Sequence, residues 1–435
     1  MSDFSGVRGR RLAAVAAGLI AVATSVAACS SSGSSNNTSP ASSSSSPATA
    51  SSGSAATGTP IKIGIAVGQT GFNADAQLPT IGVAKAWAAN INATGGLDGH
   101  PVTLDIKDTQ GSPVTVASAV NAMTNGGDAA IVLMDAAGAS ALTSSKIAIV
   151  GVGSYNDPPF EHVPNFFSIA TSDNAESRIY SLAAAATGAK KVGEVVCAEV
   201  ATCVNSATLN KEEAGPLGLT WTGYQEVSAS ATDYTAPCLA LIQKGTDYFA
   251  LGLSTTVWEK LAPQCLQQGF KGTFGVTVGS FVQTAMDSVK GATFAGGINT
   301  FPWWVDNPQV QAFRDVVQKY APATNWKGEY ATGMWASLKL LEKAVAGAHG
   351  DVSPAGVLAG FYTIKNETLG GLLPQPITLT AGQPQPLDNC LWLATYKAGD
   401  ENPQSIHPDL KVLTSQSNGA TGDLRSQCVE PLPGS

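Results

Sequence analysis

From residue 61 onward, short apolar runs alternate with stretches in which apolar residues recur every three or four positions. Residues 61–67 (Ile-Lys-Ile-Gly-Ile-Ala-Val) read as a strand. In 75–92, Leu78, Ile81, Ala84, Trp87, Ala88 and Ile91 fall at helical spacing. Gly95 and Gly96 then supply a C-terminal stop. Further strands are predicted at 101–107, 129–134 and 147–152, with a helix at 114–125. A second series follows: strands at 191–197, 219–227, 248–253 and 273–278, and helices from Asn205, at 234–244 and at 256–268. Such alternation implies parallel sheets covered by helices on both faces, an α/β class. Two series in one chain imply two α/β lobes. Beyond Phe301 the pattern changes to helices at 308–320, 330–347 and 353–361, then strand-like pieces at 375–379 and 391–396. The tail after Lys397 reads as loop. These helices can complete the first lobe and the last strands the second, with the chain crossing between lobes more than once.

The first 60 residues follow another pattern. Arg8, Arg10 and Arg11 precede an apolar run from Leu12 to Val26, and Val26-Ala27-Ala28 leads into Cys29. Small residues before a cleavage point suit a signal peptidase, and the run is shorter than the roughly 20 residues a spanning helix needs. A cysteine in that place resembles a bacterial lipobox, with Cys29 acylated as the mature N-terminus. Residues 1–28 are thus read as a signal peptide and 29–60 as a lipidated tether. The stretch after Cys29 is nearly all Ser, Ala, Thr, Gly, Asn and Pro, too polar to bury a core. As a coil of ~30 residues it spans roughly 30 Å. The expected place is the extracytoplasmic face of the bacterial cell membrane.

Composition narrows the function. Lys and Arg total 24 against 32 Asp and Glu, and no basic run follows Arg11, so nucleic-acid binding has no electrostatic footprint. Without Cys29, six cysteines remain, an even number that suits disulfides in an exported protein. Sequential pairing is favoured among the possibilities: Cys197–Cys203, Cys238–Cys265 and Cys390–Cys428. The four histidines are scattered and no Cys-x-x-Cys occurs, so no metal or other cofactor is expected. Gly-x-Ser-x-Gly, His-Glu-x-x-His, the dinucleotide fingerprint and the phosphate-binding P-loop are all missing, so an enzyme is not expected.

Ligands of open parallel sheets bind beyond the carboxyl ends of the strands. That rule selects Thr70 and Phe72 after the first strand, Asp135 and Ala136 after the third, and Ser154 and Tyr155 after the fourth. In the second lobe it selects Thr202, Ser254, Ser280 and Phe281. Tyr330, at a helix start, and Trp303, beside Trp304, complete the candidates. Glycines and serines here also suit ordinary turns, and Phe72 also suits a core.

Several of these segments resemble one family. Residues 91–102 (Ile-Asn-Ala-Thr-Gly-Gly-Leu-Asp-Gly-His-Pro-Val) look like the glycine segment of the leucine/isoleucine/valine-type binding proteins of ABC importers. Thr70-Gly71 is similar to the family's first ligand loop, and 107–113 to its acidic turn. Asp233-Tyr234-Thr235, then Gly245-Thr246-Asp247, then Gln268-Gly269-Phe270 resemble its second-lobe pattern. The resemblance implies a type I periplasmic-binding fold: two Rossmann-like lobes joined by three crossover segments, placed near Thr171, Thr300 and Gly370. Lobe 1 is then 61–171 plus 300–370, and lobe 2 is 172–299 plus 371–435. It also implies a small-molecule ligand and an ABC permease as partner; a ligand sensor signalling to an envelope partner shares the same fold. The chain departs from the family where amino-acid ligands are clamped. Asp135-Ala136-Ala137 lacks the hydroxyls that hold a carboxylate, no acid stands near Gly279-Ser280, and Thr202 and Ser254 occupy the places of capping tyrosines. The expected ligand is therefore an amide, an aromatic acid or a polar neutral solute rather than a plain α-amino acid.

Overall fold

The computed structural model describes residues 56–71, 74–135, 138, 142–143, 145–152, 160, 162–199, 201–276 and 279–430, with the side chains at 173–174 and 201–202 left aside. The first sheet holds five parallel strands: β1 (Ile61–Val67), β2 (Val102–Asp108), β3 (Ala130–Leu133), β4 (Ala148–Gly151) and β5 (Phe166–Ser168), in the order β2-β1-β3-β4-β5. The second contains β6 (Lys191–Cys197), β7 (Thr220–Val227), β8 (Tyr248–Gly252), β9 (Thr273–Val276) and β10 (Thr293–Ile298), parallel and in the corresponding order β7-β6-β8-β9-β10. Antiparallel β11 (Cys390–Lys397) and β12 (Gln404–Ile406) extend its edge, and β13 (Gln427–Cys428) pairs with β11.

The sidedness of each sheet follows the two-residue period of a strand. In lobe 1, Ile63, Ile65, Val67, Ala130 and Val132 face one core. Ala66, Ile131 and Leu133 face the other, with Val116 and Val120 of helix Pro113–Asn125. In lobe 2, Phe249 and Leu251 face one side and Tyr248 and Ala250 the other, beneath Ile179 and Leu182 of helix Ile179–Ala186. Helix Pro79–Ala93 packs on lobe 1 together with two helices from the distal part of the chain, Pro308–Tyr320 and Glu329–Gly347. Helix Pro354–Phe361 packs on the latter.

The chain passes between the sheets after β5, after β10 and after helix Pro354–Phe361. The first and third passages run side by side. Thr171 Oγ1 donates to Cys390 O at 2.5 Å, and Ser172 N–H donates to Asp388 O at 2.6 Å. The third passage begins near Gly370, where an added Cβ would stand 2.8 Å from Gln309 of lobe 1.

Several elements differ from the sequence reading. The predicted helix 75–92 is two helices, Ala74–Gln77 and Pro79–Ala93, because the proline ring fits a first turn and not an interior. Residues 375–379 form no strand and contribute one isolated bridge, Glu367 to Ile377. The tail is not all loop, since β12 and β13 lie in it. β5 and β10 and the helices Ile179–Ala186 and Gln283–Ser288 gave no distinct signal: three-residue β5 is too short for a period, and β10 carries Gly296 and Gly297 among its apolar residues. All three sequential disulfides are present, and the Cys238–Cys265 Cα atoms, on neighbouring helices, stand 5.0 Å apart.

Candidate functional site

Both sheets reverse their winding between their first and third strands, β1/β3 in lobe 1 and β6/β8 in lobe 2. A doubly wound sheet leaves its crevice at that reversal, outside the carboxyl ends. In lobe 1 the crevice falls at Gln69, Thr70 and Asp135. In lobe 2 it falls at Ala198, Glu199 and Ser254.

The lobe 1 wall is organised by carboxylates. Asp108, ending β2, accepts from the N–H groups of Gln69 at 2.8 Å, Thr70 at 3.2 Å and Gln110 at 3.0 Å, and from the Thr70 hydroxyl at 2.7 Å. Burial pushes its pKa up, but the Thr70 hydroxyl and these amides outweigh it and hold the group below the ordinary carboxylate range. The loops after β1 and β2 touch so closely that a Cβ on Gly71, whose φ is +96°, would lie 2.4 Å from Gln110 O. Only glycine fits there. On the other side of the β1 loop, the buried Gln77 accepts Gly68 N–H at 2.6 Å. Asp135 is buried where β3 ends, and its Oδ2 accepts the Thr109 hydroxyl at 2.7 Å. The Thr70 proton is committed to Asp108, so Thr70 can offer a ligand only lone pairs. Thr70, Asp108 and Asp135 thus line this wall with hydroxyl and carboxylate oxygens, those of Asp108 already accepting four hydrogen bonds from the protein.

The two lobes meet at the first turn of helix Glu329–Gly347. Tyr330 lies against Gly279, where φ is +74° and an added Cβ would be 2.7 Å from the ring. Gly333, one turn on, faces Val152, Thr300 and Met134. This turn therefore joins the carboxyl ends of β3, β4 and β9. Helix Ala74–Gln77 also touches helix Thr255–Gln267 across the lobes. Glu329 is buried, and its carboxylate accepts Asn299 N–H at 2.6 Å and Gly279 N–H at 3.2 Å, so an acid does stand beside Gly279, where the sequence reading expected none, brought there from 50 positions along the chain. Burial pushes it up to about 8, opposed by those two amides.

Of the residues selected from sequence, Thr70, Asp135, Ser254, Ser280 and Tyr330 occupy the carboxyl ends and the junction. Ser254 and Ser280 are nearly buried, and Ser254 opens helix Thr255–Gln267. Phe281 and Trp303 have no exposed surface, and their rings meet edge to face at 5.9 Å. They support the junction from behind, because their neighbours Trp304 and Gln283 enclose them. Phe72, Ala136, Ser154, Tyr155 and the Thr202 side chain lie outside the described residues, as do Cys29 and the leader. Asp108, Thr109, Asn299 and Glu329 were not singled out as candidates. Asp108 stands in the acidic turn that carried part of the resemblance, and Glu329 opens an apolar helix. Neither signal separates a site from a helix start. Among the described residues no cluster of His, Cys, Asp and Glu could hold a metal, and no helix is long and apolar enough to cross a membrane.

Residues 60–401 match the profile of a family described as periplasmic binding protein. No curated protein matches the chain in sequence. Among solved structures, the branched-chain amino acid transporter substrate binding protein LivJ of Streptococcus pneumoniae, in complex with isoleucine, superposes with a TM-score of 0.66 at 18% identity, over 80% of this chain and 99% of that one. A solute-binding protein of an ABC transporter from Rhodopseudomonas palustris, in complex with 4-hydroxybenzoate, gives 0.63 at 16% identity, over 83% and 98%. A fatty acid ABC transporter substrate-binding protein of Thermomonospora curvata gives 0.64 at 16% identity, over 82% and 94%.

Proposed function

The chain belongs to the periplasmic binding protein family, and from that premise we propose that it captures a small polar solute between its lobes and delivers it to the permease of an ABC-type importer. The lobes are 61–171 plus 300–370 and 172–299 plus 371–435. Cys29 carries the lipid, and the Ser-rich segment up to residue 60 lets the binding domain reach the permease from the outer face of the membrane. The similar structures were solved with ligands as unlike as isoleucine and 4-hydroxybenzoate, so the fold leaves the ligand open.

The observation that supports a ligand class is the oxygen-lined wall of lobe 1. Asp135 and Asp108 repel a carboxylate on that side, and the Thr70 hydroxyl cannot donate to one. A solute with N–H or O–H donors suits the wall: a carboxamide, an amine or a polyol. Isothermal titration against branched-chain amino acids, carboxamides, aromatic acids, amines and polyols tests this. A donor-rich solute should bind, and Asp135→Asn should weaken it about tenfold or more, the loss of a hydrogen bond to a charged group. Tight isoleucine binding indifferent to Asp135→Asn would overturn the ligand class and leave the binding role standing. Mass spectrometry of the mature N-terminus tests the anchor, which predicts an acylated Cys29.

A further inference from the structure

Two of the hydrogen bonds that tie the lobes together share one carboxyl group. Glu329 begins a helix that packs on lobe 1 against β3, β4 and helix Pro79–Ala93. Its two oxygens point the other way. One accepts from Gly279, in the loop after β9, and the other from Asn299, where β10 passes into the crossing. Gly279 adjoins Ser280, so the group grips the loop that carries a candidate ligand contact. Around it the same two stretches are stitched together. Val282 and Gly328 form a bridge, Gln283 N–H donates to Lys327 O at 3.0 Å, and Asn325 Nδ2 donates to Thr284 Oγ1 at 2.9 Å. Asn299 extends the cluster, its Nδ2 donating to Glu176 Oε2 at 3.2 Å. Two buried carboxyls thus share one asparagine, and no lysine or arginine among the described residues pairs with Glu329.

We propose that Glu329 is the positioning residue that sets cleft closure, holding the Gly279–Ser280 loop of lobe 2 onto lobe 1 and releasing it when the carboxyl is ionised and hydrated. The proposal rests on the reading of this cleft as the ligand site. The physical reason is the cost of a buried charge: ionised, the group has two amides and no cation to compensate it, whereas parting the lobes gives it water. The titratable side chains on these elements are Tyr330, Lys339, Glu342 and Lys343 on the helix itself, Lys327 and Asp287 on the stitched stretches, Glu176, Asp135 at the end of β3 and Lys85 on helix Pro79–Ala93. Burial pushes the Glu329 pKa up to about 8, against the Asn299 and Gly279 amides, which lower it. A raised carboxyl pKa means that the form with these contacts made keeps its proton longer than one in which water reaches the group. The contacts, and with them closure, are therefore favoured at lower pH and lost as pH rises through about 8.

The test needs no ligand, so its failure is separate from failure of the titration panel. Small-angle scattering and amide hydrogen exchange, corrected for the intrinsic rate at each pH, are measured on the full chain from acidic to alkaline pH. The wild type should expand above pH 8, and its Gly279 and Asn299 amides should exchange about tenfold faster there, the equivalent of one hydrogen bond to a charged group. Glu329→Gln should flatten both profiles and leave Gly279 or Asn299 exchanging fast throughout, because a carboxamide can accept from one amide and not oppose a second donor. The same pH slope in Glu329→Gln, or wild-type scattering and exchange unchanged across pH 8, would overturn the proposal; the wild-type series alone decides if the variant does not fold.

Discussion

The two lobes wind their parallel strands in the same order and differ in their cross-links and buried charges. Every cysteine from residue 61 onward lies in lobe 2, and all six are paired there. Both lobes pack rings: Phe167 stacks on Phe361 at 4.2 Å in lobe 1, and Phe249 stacks on Phe270 at 4.0 Å in lobe 2. Lobe 2 also buries more ionisable groups. Arg178 pairs with Glu213 at 2.9 Å, and Glu194 accepts from Ser206 and Asn210 beneath helix Ala201–Ala214. Its sheet runs on through strands of three and two residues, too short to hold by their own burial. A lobe with polar groups in its core and a weakly structured tail gains from covalent cross-links, which act on the unfolded chain and ask nothing of the core. Lobe 1 buries fewer acidic and basic side chains among the described residues, Asp128, Asp135 and Glu329, and has no cysteine.

The sharpest way to break this comparison is to remove the Cys238–Cys265 bond. The double variant Cys238→Ala, Cys265→Ala should lose about 3.5 kcal/mol, the closure entropy of a 27-residue loop. Urea unfolding followed by hydrogen exchange should place the loss in β6 to β9, with β1 to β4 still protected. Equal loss in both sheets would mean that the lobes unfold as one and the contrast carries no energetic weight.

Glu194 gives the next largest effect. Burial pushes its pKa up to about 8, while Ser206 and Asn210 pull it down. The folded state keeps the proton that the unfolded chain releases near the ordinary carboxylate range. Its contribution is thus whole at acidic pH and is lost as pH rises toward 8. Glu194→Gln should remove that slope and raise stability at neutral pH by about 3 kcal/mol at most. Thermal melts from pH 4 to 8 check it, and an unchanged slope would assign the pH dependence elsewhere.

The smallest effect compares one tryptophan from each lobe. Trp87 donates its Nε1–H to Glu342 at 2.7 Å, whereas buried Trp258 Nε1 has no partner among the described residues. Replacing each with phenylalanine removes similar volume, but Trp87→Phe should cost about 1 kcal/mol more, one hydrogen bond. Equal costs in chemical denaturation would show that the Trp87 bond contributes nothing net.

Most of the fold was legible because its strands are apolar runs and its helices keep a regular period. Helix 308–320, with Val310, Phe313 and Val317 inward, matches its sequence reading residue for residue. β10 and helix Ile179–Ala186 were not, since a run of alanines and an apolar strand with paired glycines carry no distinct period. The site was legible only as positions. The strand-end rule found Thr70 and Asp135, but no rule of spacing says that the Thr70 proton is already given to Asp108. Nor does composition tell a wall aromatic from one behind the wall, as Phe281 and Trp303 show.

The sequence by itself determined the α/β class, the two-series layout and the apolar faces of nearly every long element, because periodicity is a local property of the chain. Its glycine segment and the order of its turns carried the family resemblance. Tertiary structure alone decided that the first and third passages run side by side, that Cys238 and Cys265 come within 5.0 Å, and that Glu329 faces Gly279 and Asn299 across the lobes. Those meetings join residues separated by 27 to 219 positions. Their energies depend on burial and on partners brought from elsewhere, and no local pattern in the chain records either.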